Sequence, residues 1–64
     1  MNKIAARRRN AGLTQKQLAQ QLGITQGAVS QWENKISRPR AQTLKKLAGL
    51  LHCSVDELLL DWPR

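Results

Sequence analysis

The sequence predicts an all-α fold, a compact bundle of five short helices. The chain has 64 residues, enough for one domain with a small core. Apolar residues make up 41% of it but aromatic residues only 3%, with no Phe and no Tyr, so residues that favour strands are scarce. Helix-capping and helix-ending residues then divide the chain into five segments.

Glycines bound the first two helices. The first is expected from about residue 2 to residue 10, before Gly12, because glycine commonly follows a helix C-terminus. Thr14 begins the second helix, and Gln17, three residues later, completes a capping box in which each residue bonds to the backbone of the other. Gly23 ends this helix, so the second helix is predicted to be short.

The third helix begins at Thr25 and closes near Asn34. Residues 35–40 form a loop, because Pro39 restricts the backbone there and cannot donate a hydrogen bond. The sequence "KISRPR" in this loop is strongly basic. We therefore expect a cationic connection between the third and fourth helices.

The fourth helix is expected from about residue 41 to residue 52, and a short fifth begins at Ser54, with Glu57 predicted to form a second capping box. Pro63 follows the last helix. Leucines recur at helical spacing in both segments, and residues 1–64 are interpreted as one domain. The expected core residues are Ile4, Leu13, Leu18, Leu22, Ile24, Val29, Leu44, Leu47, Ala48, Leu51, Val55, Leu58 and Leu59.

The charge balance indicates a polyanionic partner. Eleven Lys and Arg against four Asp and Glu give a net charge of +7 and a pI near 11.0, and a field of this strength attracts polyanions. A membrane surface is the alternative, but no apolar run approaches the roughly 20 residues of a spanning helix and no signal peptide is recognisable. We expect a cytoplasmic, nucleoid-associated protein without a membrane partner.

The reactive side chains do not form a catalytic or metal site. Cys53 is the only cysteine and His52 the only histidine, so neither an internal disulfide nor a zinc site with its three or four ligands is expected. The few acidic residues are largely committed to caps and ion pairs, which leaves no nucleophile and base together. The sequence therefore predicts no enzyme activity, no metal and no cofactor.

The third helix has one polar face without charge. At about 100° per residue, Ala28, Val29 and Trp32 lie on one side, where Trp32 is expected in the core. Amides, a hydroxyl and a glycine can read base edges in DNA, although such faces also occur on inert surfaces. Glycine in the first turn costs stability, which a close approach to DNA would explain. The outer residues are Gln26, Gly27, Ser30, Gln31 and Asn34.

Several motifs occur together in a characteristic order. Ala19, Gly23 and Val29 have the spacing of two helices that cross closely around a tight turn. Around them stand "GLTQKQLA", "QWEN", "RPR" and "SVDELL". On these residues the chain resembles the lambdoid phage repressor and Cro-like helix-turn-helix family, also called the XRE family, over nearly its whole length. The resemblance implies a five-helix bundle whose third helix lies in the DNA major groove, with the helix-turn-helix at about residues 15–34.

The resemblance also implies which residues contact double-stranded DNA. Arg38 and Arg40 additionally crowd the N-terminus of the fourth helix, where positive charge is unfavourable unless an anion binds, so phosphate or a narrow minor groove is expected there. Lys35 occupies a position where the family usually has glycine, which predicts a strained or different turn. The implied base-reading residues are Gln26, Gly27, Ser30 and Gln31; the implied phosphate contacts are Thr14, Gln15, Gln17, Asn34, Lys35, Arg38 and Arg40.

The first helix contains three consecutive arginines with different expected roles. Arg8 lies four residues after Ile4, on the inward face, where a half-buried guanidinium requires a carboxylate. The family pairs this position with that of Glu33, so we expect a structural Arg8–Glu33 salt bridge. Arg7 and Arg9 are expected to point to solvent and to attract DNA at long range.

The leading hypothesis is a sequence-specific transcriptional regulator, most simply a repressor of the Cro or short-repressor type. One helix-turn-helix reads few base pairs, so a homodimer on a palindromic operator is expected. Leu59, Leu60 and Trp62 are the expected dimer contacts, because "LLLDW" has more apolar residues than one helix face buries; for Trp62, coverage of the core is the alternative. The alternative is an antitoxin or another protein-interaction module that uses the same fold and binds a protein partner.

Overall fold

The computed structural model describes residues 2–60. Within this range the chain forms five α-helices and no strand, which confirms the all-α bundle. Trp62 and Pro63 lie outside the described residues. The dimer contact expected of Trp62 and the end of the last helix expected before Pro63 therefore lie outside them too. The helices are α1, Lys3–Asn10; α2, Gln15–Leu22; α3, Gln26–Glu33; α4, Ala41–Leu51; and α5, Val55–Leu58.

The helices begin where side-chain caps were expected, with one addition and one exception. Thr14, Thr25 and Ser54 each accept a hydrogen bond from a backbone N–H of the following turn, which satisfies a donor that has no partner within the helix. Asn2 caps α1 in the same way. Arg40 precedes α4 and makes no such bond.

The two predicted capping boxes differ in outcome. In α2 the box is complete, because Thr14 Oγ1 accepts from the Gln17 N–H at 3.0 Å and Gln17 Oε1 accepts from the Thr14 N–H at 2.9 Å. In α5 only half forms: Ser54 Oγ accepts from the Glu57 N–H at 3.0 Å. The Glu57 carboxylate instead pairs with Arg7 of α1. An ionised donor forms a stronger hydrogen bond than a backbone amide, so the carboxylate turns away from its own helix.

Two glycines and two larger residues end helices in the left-handed backbone region. Gly12 and Gly23 have φ angles of +75° and +70°, whereas Lys35 and His52 have φ angles of +59° and +55°. The predicted irregularity at Lys35 is therefore present, since a side chain disfavours this conformation. His52 ends α4 rather than belonging to it.

A single cluster of apolar side chains holds the described residues together. Trp32 is 6% exposed and belongs to this cluster, as expected. The helix α2 packs on α3, α4 packs on α5, and α1 contacts both α3 and α5. Every helix therefore presents part of its surface to one core. None of the described helices has the length and apolarity needed to cross a membrane. The buried members are Ile4, Leu18, Ala19, Leu22, Val29, Trp32, Leu44, Leu47, Leu51 and Leu58.

Candidate nucleic-acid interface

The turn between α2 and α3 sets the angle of α3. Gly23 takes a positive φ, and the Ile24 N–H then donates to the Ala19 carbonyl at 3.0 Å. Ala19 is 2% exposed, and its small side chain permits a close approach of the two helices. Val29 has no exposed surface and holds α3 on the core. These contacts leave the opposite side of α3 facing outward.

A buried ion pair fixes the C-terminal end of α3 from inside. Arg8 Nε lies 2.6 Å from Glu33 Oε2, and Arg8 Nη2 lies 3.1 Å from Glu33 Oε1. Gln15 Nε2 adds a bond of 3.0 Å to Glu33 Oε1. Burial alone raises the pKa of Glu33, but the hydrogen bonds from Arg8 and Gln15 and the charges of Arg8 and Arg9 outweigh it, so this pKa is lowered. Glu33 therefore stays ionised and keeps α1 and α2 attached to α3.

Asn2 is a second buried anchor, and the sequence interpretation missed its role. Its Oδ1 caps α1 by accepting from the Ile4 and Ala5 N–H groups. Its Nδ2 donates to the Trp32 carbonyl at 3.0 Å, thirty residues away. Asparagine directly before a helix is a preferred N-cap residue, so the capping half of this role was recognisable. The bond to α3 depends on tertiary packing and has no local signal.

The outer face of α3 is uncharged and accessible. Gln26, Gly27 and Gln31 are exposed, and Ser30 is half-buried. The structure thus brings together the four side-chain positions that were expected to read bases. No Lys, Arg, Asp or Glu lies among them, so this face offers directional hydrogen bonds without a net charge.

Two neighbouring side chains restrict the hydrogen bonding of this face. Asn34 Nδ2 donates to Ser30 Oγ at 3.3 Å, and Ser37 Oγ donates to Gln31 Oε1 at 3.3 Å. Each bond uses acceptor capacity of the α3 side chain and leaves donors available: the Ser30 hydroxyl hydrogen and the Gln31 NH₂ group. These two positions therefore suit base edges that present acceptors, such as guanine O6 and N7.

Gly27 has no structural requirement inside the protein. Its φ angle is not in the left-handed region, and a Cβ placed on it would meet only Thr25 Oγ1, at 3.9 Å. An alanine there would be compatible with the fold and would favour the helix. An internal packing constraint therefore does not explain the bare backbone at Gly27.

The residues expected to contact phosphate flank this face. Thr14 and Gln17 are exposed at the start of α2, and Lys35, Arg38 and Arg40 are exposed between α3 and α4. The capping box uses Gln17 Oε1, so the Gln17 NH₂ group can donate outward. Asn34 is also exposed.

Gln15 differs from the other residues of this set. It is half-buried, and one of its amide hydrogens is engaged by Glu33. The outward contact expected of Gln15 is thus restricted to its second amide hydrogen and its backbone N–H. Its side chain connects the start of α2 with the end of α3.

Arg7 was expected to point to solvent, and its side chain is 33% exposed, but its ion pair with Glu57 was not anticipated. Its Nε and Nη2 both donate to the Glu57 carboxylate, the latter at 2.7 Å, and the pair connects α1 with α5. The hydrogen bond from Arg7 lowers the pKa of Glu57, and the attraction of the Arg7 charge adds to this. Arg9 is exposed, as expected.

The remaining candidate residues have ordinary surroundings. Cys53 is a half-buried free thiol, and burial raises its pKa, with a smaller contribution from the Glu57 charge. Within residues 2–60 no group of three or more His, Cys, Asp and Glu has a metal-binding arrangement.

Of the expected dimer contacts, Leu60 is 70% exposed and Leu59 packs partly against the core. The third, Trp62, is outside the described residues.

Comparison with known proteins gives consistent similarities. Residues 4–58 match the family described as Helix-turn-helix. The chain is 37% identical to the HTH-type transcriptional activator BcrR of Enterococcus faecalis and also 37% identical to the repressor protein C2 of Salmonella phage P22. Each of these matches extends over 57 residues, which is 89% of the chain. It is 42% identical over the same length to the HTH-type transcriptional regulator DicA of Escherichia coli strain K12. The matched part covers only 28%, 26% and 42% of these proteins, respectively. No solved structure matches significantly.

Proposed function

The chain belongs to the helix-turn-helix family of phage repressor-like proteins, and from this membership we propose that it is a sequence-specific, DNA-binding transcriptional regulator. The observation that carries the proposal is the outer face of α3. This face is polar, uncharged and exposed, it has exposed cations beside it, and it includes a glycine that the fold does not need. A duplex in contact with this face accounts for all of these features.

In this proposal α3 lies in the major groove. Gln26 and Gln31 hydrogen-bond to base edges, and Ser30 donates its hydroxyl hydrogen to a base acceptor. Gly27 brings the first turn of α3 near the groove floor or a phosphate, because no side chain separates the backbone from the DNA. The buried anchors at Glu33 keep these donors in a constant orientation.

Phosphate contacts hold the reading helix in register. The first turn of α2 has backbone N–H groups and the partial positive charge of a helix N-terminus, which together favour an anion. Arg40 and the uncapped start of α4 offer a second such position, where the arginine is unfavourable without an anion. The proposed contacts are Thr14, Gln15, Gln17, Asn34, Lys35, Arg38 and Arg40.

The regulator acts as a repressor of the Cro or short-repressor type, on a palindromic operator and in the cytoplasm near the nucleoid. A second copy is needed because a single recognition helix reads too few base pairs for a unique site. Leu59, Leu60 and Trp62 form the proposed contact between copies. Sedimentation with operator DNA tests this arrangement: two chains per duplex are expected, and one chain per duplex would contradict the homodimer.

Gly27→Ala tests the reading face, with Gly49→Ala as its control. Gly49 is an exposed glycine in α4, and a Cβ there meets nothing within 4 Å. Both variants are expected to gain about 0.5–1 kcal/mol of unfolding free energy, because alanine favours a helix over glycine. Only Gly27→Ala is expected to weaken DNA binding, by roughly 5- to 150-fold, since a misfit at one base pair costs about 1–3 kcal/mol.

The DNA for this measurement is first selected from a random duplex pool with the wild-type protein. Affinity for the selected site is then measured by fluorescence anisotropy over a range of salt concentrations, and its logarithm should fall linearly with the logarithm of salt. Gln26→Ala should weaken the selected site far more than random DNA. If no site is selected, sequence-specific binding is contradicted. If Gly27→Ala and Gly49→Ala bind equally well, the close approach of Gly27 to the DNA is contradicted.

A further inference from the structure

Four helix ends in the described residues share one backbone motif. In each, a residue with positive φ follows the helix, and the N–H of the next residue donates to a carbonyl five positions earlier. This is the Schellman arrangement, in which the residue after the turn usually packs against its own helix. The positive-φ residues are Gly12, Gly23, Lys35 and His52, and the residues after them are Leu13, Ile24, Ile36 and Cys53.

Ile36 is the exception among these four ends. Leu13, Ile24 and Cys53 are partly buried and pack against the core. Ile36 occupies the same place in the motif but is 73% exposed. The side chain is therefore apolar, as the motif favours, but it does not make the contact that the motif normally provides.

The backbone holds Ile36 in this exposed place. Its N–H donates to the Gln31 carbonyl at 2.9 Å, and the next residue, Ser37, bonds to the Gln31 side chain. The loop is thus attached to the C-terminal part of α3, directly beside Gln31 of the outer face. Ile36 stands at the border of that face.

The charges around Ile36 favour DNA over a second copy of the chain. Lys35 and Arg38 are exposed on either side of it, and a symmetric contact at Ile36 would bring these cations toward their equivalents in a protein of net charge +7. DNA combines phosphates, which pair with the cations, with apolar groups of suitable size. These groups are the thymine 5-methyl in the major groove and the deoxyribose of the backbone.

We infer that Ile36 makes an apolar contact with the DNA at the edge of the region read by α3. This rests on the DNA-binding function proposed above and adds a residue outside the recognition helix to its contacts. A thymine methyl at this place would make Ile36 a specificity residue. A deoxyribose contact would contribute affinity without sequence preference.

The test compares Ile36→Ala with Cys53→Ala, the same motif position at the end of α4. Ile36→Ala should lower affinity for the selected duplex roughly four- to fifteenfold, the loss expected when one or two methyl groups leave a contact. Its thermal unfolding should stay near that of wild type, because the side chain is exposed. Cys53→Ala should show the opposite behaviour, lower stability with unchanged DNA affinity.

Duplexes with uracil in place of single thymines distinguish the two DNA groups. If Ile36 meets a thymine methyl, one uracil lowers wild-type affinity by about fourfold and has no further effect on Ile36→Ala. If it meets deoxyribose, Ile36→Ala loses affinity equally on thymine and uracil duplexes. Both results support the inference, and they differ only in the group contacted.

Three results would overturn it. Wild-type affinity in Ile36→Ala means that DNA does not reach the residue, while DNA binding by the wild type would still stand. Weaker self-association of Ile36→Ala in sedimentation without DNA would assign the residue to a contact between copies. A wild-type protein that binds no duplex at all removes the proposed function, and this contact with it.

Discussion

The helices α3 and α5 are attached to the same α1 by neighbouring arginines, but in different ways. Arg8 meets Glu33 of α3 where the two side chains are 10% and 8% exposed, whereas Arg7 meets Glu57 of α5 where they are 33% and 27% exposed. The Arg8 pair also has a third member, Gln15. Consecutive residues on one helix thus form one buried and one accessible ion pair.

The difference indicates which helix has to keep its orientation. A buried charge without its partner strongly destabilises the fold, so the two side chains of a buried pair must stay in contact. Together with the bond from Asn2 to Trp32, the Arg8 pair constrains α3 from the side opposite its outer face. The helix α5 is held by the burial of Leu58 and by a more accessible ion pair, so its orientation is less strictly constrained.

Glu33→Gln should have the largest effect, with Glu57→Gln as its matched control. Glu33→Gln leaves the Arg8 guanidinium buried without a counter-charge, for a loss of about 3 kcal/mol. In a domain of this size, that lowers Tm by about 12–24 °C. Glu57→Gln should remain within a few degrees of wild type, because water solvates Arg7. Equal shifts in calorimetry would mean that the two pairs are equivalent.

Acid should reduce the difference in unfolding free energy between wild type and Glu33→Gln. The pKa of Glu33 in the folded protein is below its ordinary value of 4.5, so the stabilisation is complete above that pH and is lost as the pH falls through the lowered pKa. Urea unfolding between pH 7 and pH 3 should show the two free energies converging below about pH 4.5. A constant difference over this range would contradict the role assigned to the Glu33 charge.

The N-cap residues Asn2 and Ser54 offer a second comparison, with a smaller effect. Asn2 caps α1 and also bonds to α3, whereas Ser54 caps α5. Asn2→Ala removes the cap of α1 and also the Asn2 bond to the Trp32 carbonyl, which keeps its bond from the Lys35 N–H. The two losses together should cost about 2 kcal/mol. Ser54→Ala removes only an exposed cap and should cost about 1 kcal/mol. Equilibrium denaturation measures both. If Asn2→Ala costs no more than Ser54→Ala, the bond to α3 contributes nothing measurable.

Local signals predicted the helices and the polar outer face of α3. Thr14 and Gln17 formed the capping box expected of them, and Trp32 fell in the core because its position in the 3.6-residue period is set by neighbours on its own helix. The common outward face of Gln26, Gly27, Ser30 and Gln31 likewise follows from this period, and their role in reading bases stays a prediction. Such features depend on residues a few positions apart.

Long-range pairings were harder to predict. The Arg8 partner came from the resemblance to the family, whereas the choice of Arg7 by Glu57 over its own capping box depends on the placement of α5 beside α1. Asn2 likewise finds Trp32 only after α1 and α3 have packed. The spacing of these residues along the chain does not predict such contacts.

The smallest predicted effect compares Lys35 and His52, the non-glycine residues with positive φ at the ends of α3 and α4. Replacing either by glycine should raise the unfolding free energy by about 0.5–1 kcal/mol, because the side chain no longer strains the left-handed conformation. The gain should be similar in both, since the two φ angles differ by only a few degrees.

DNA binding should separate these two variants. His52→Gly should bind the selected duplex as wild type does, whereas Lys35→Gly should bind it more weakly and lower the slope of log affinity against log salt by about one, the loss of one phosphate contact. Lys35 would then be strained because its charge is used on DNA. If Lys35→Gly gains stability and keeps both affinity and salt slope, the strain at the end of α3 has no role in DNA binding, and the two helix ends are equivalent.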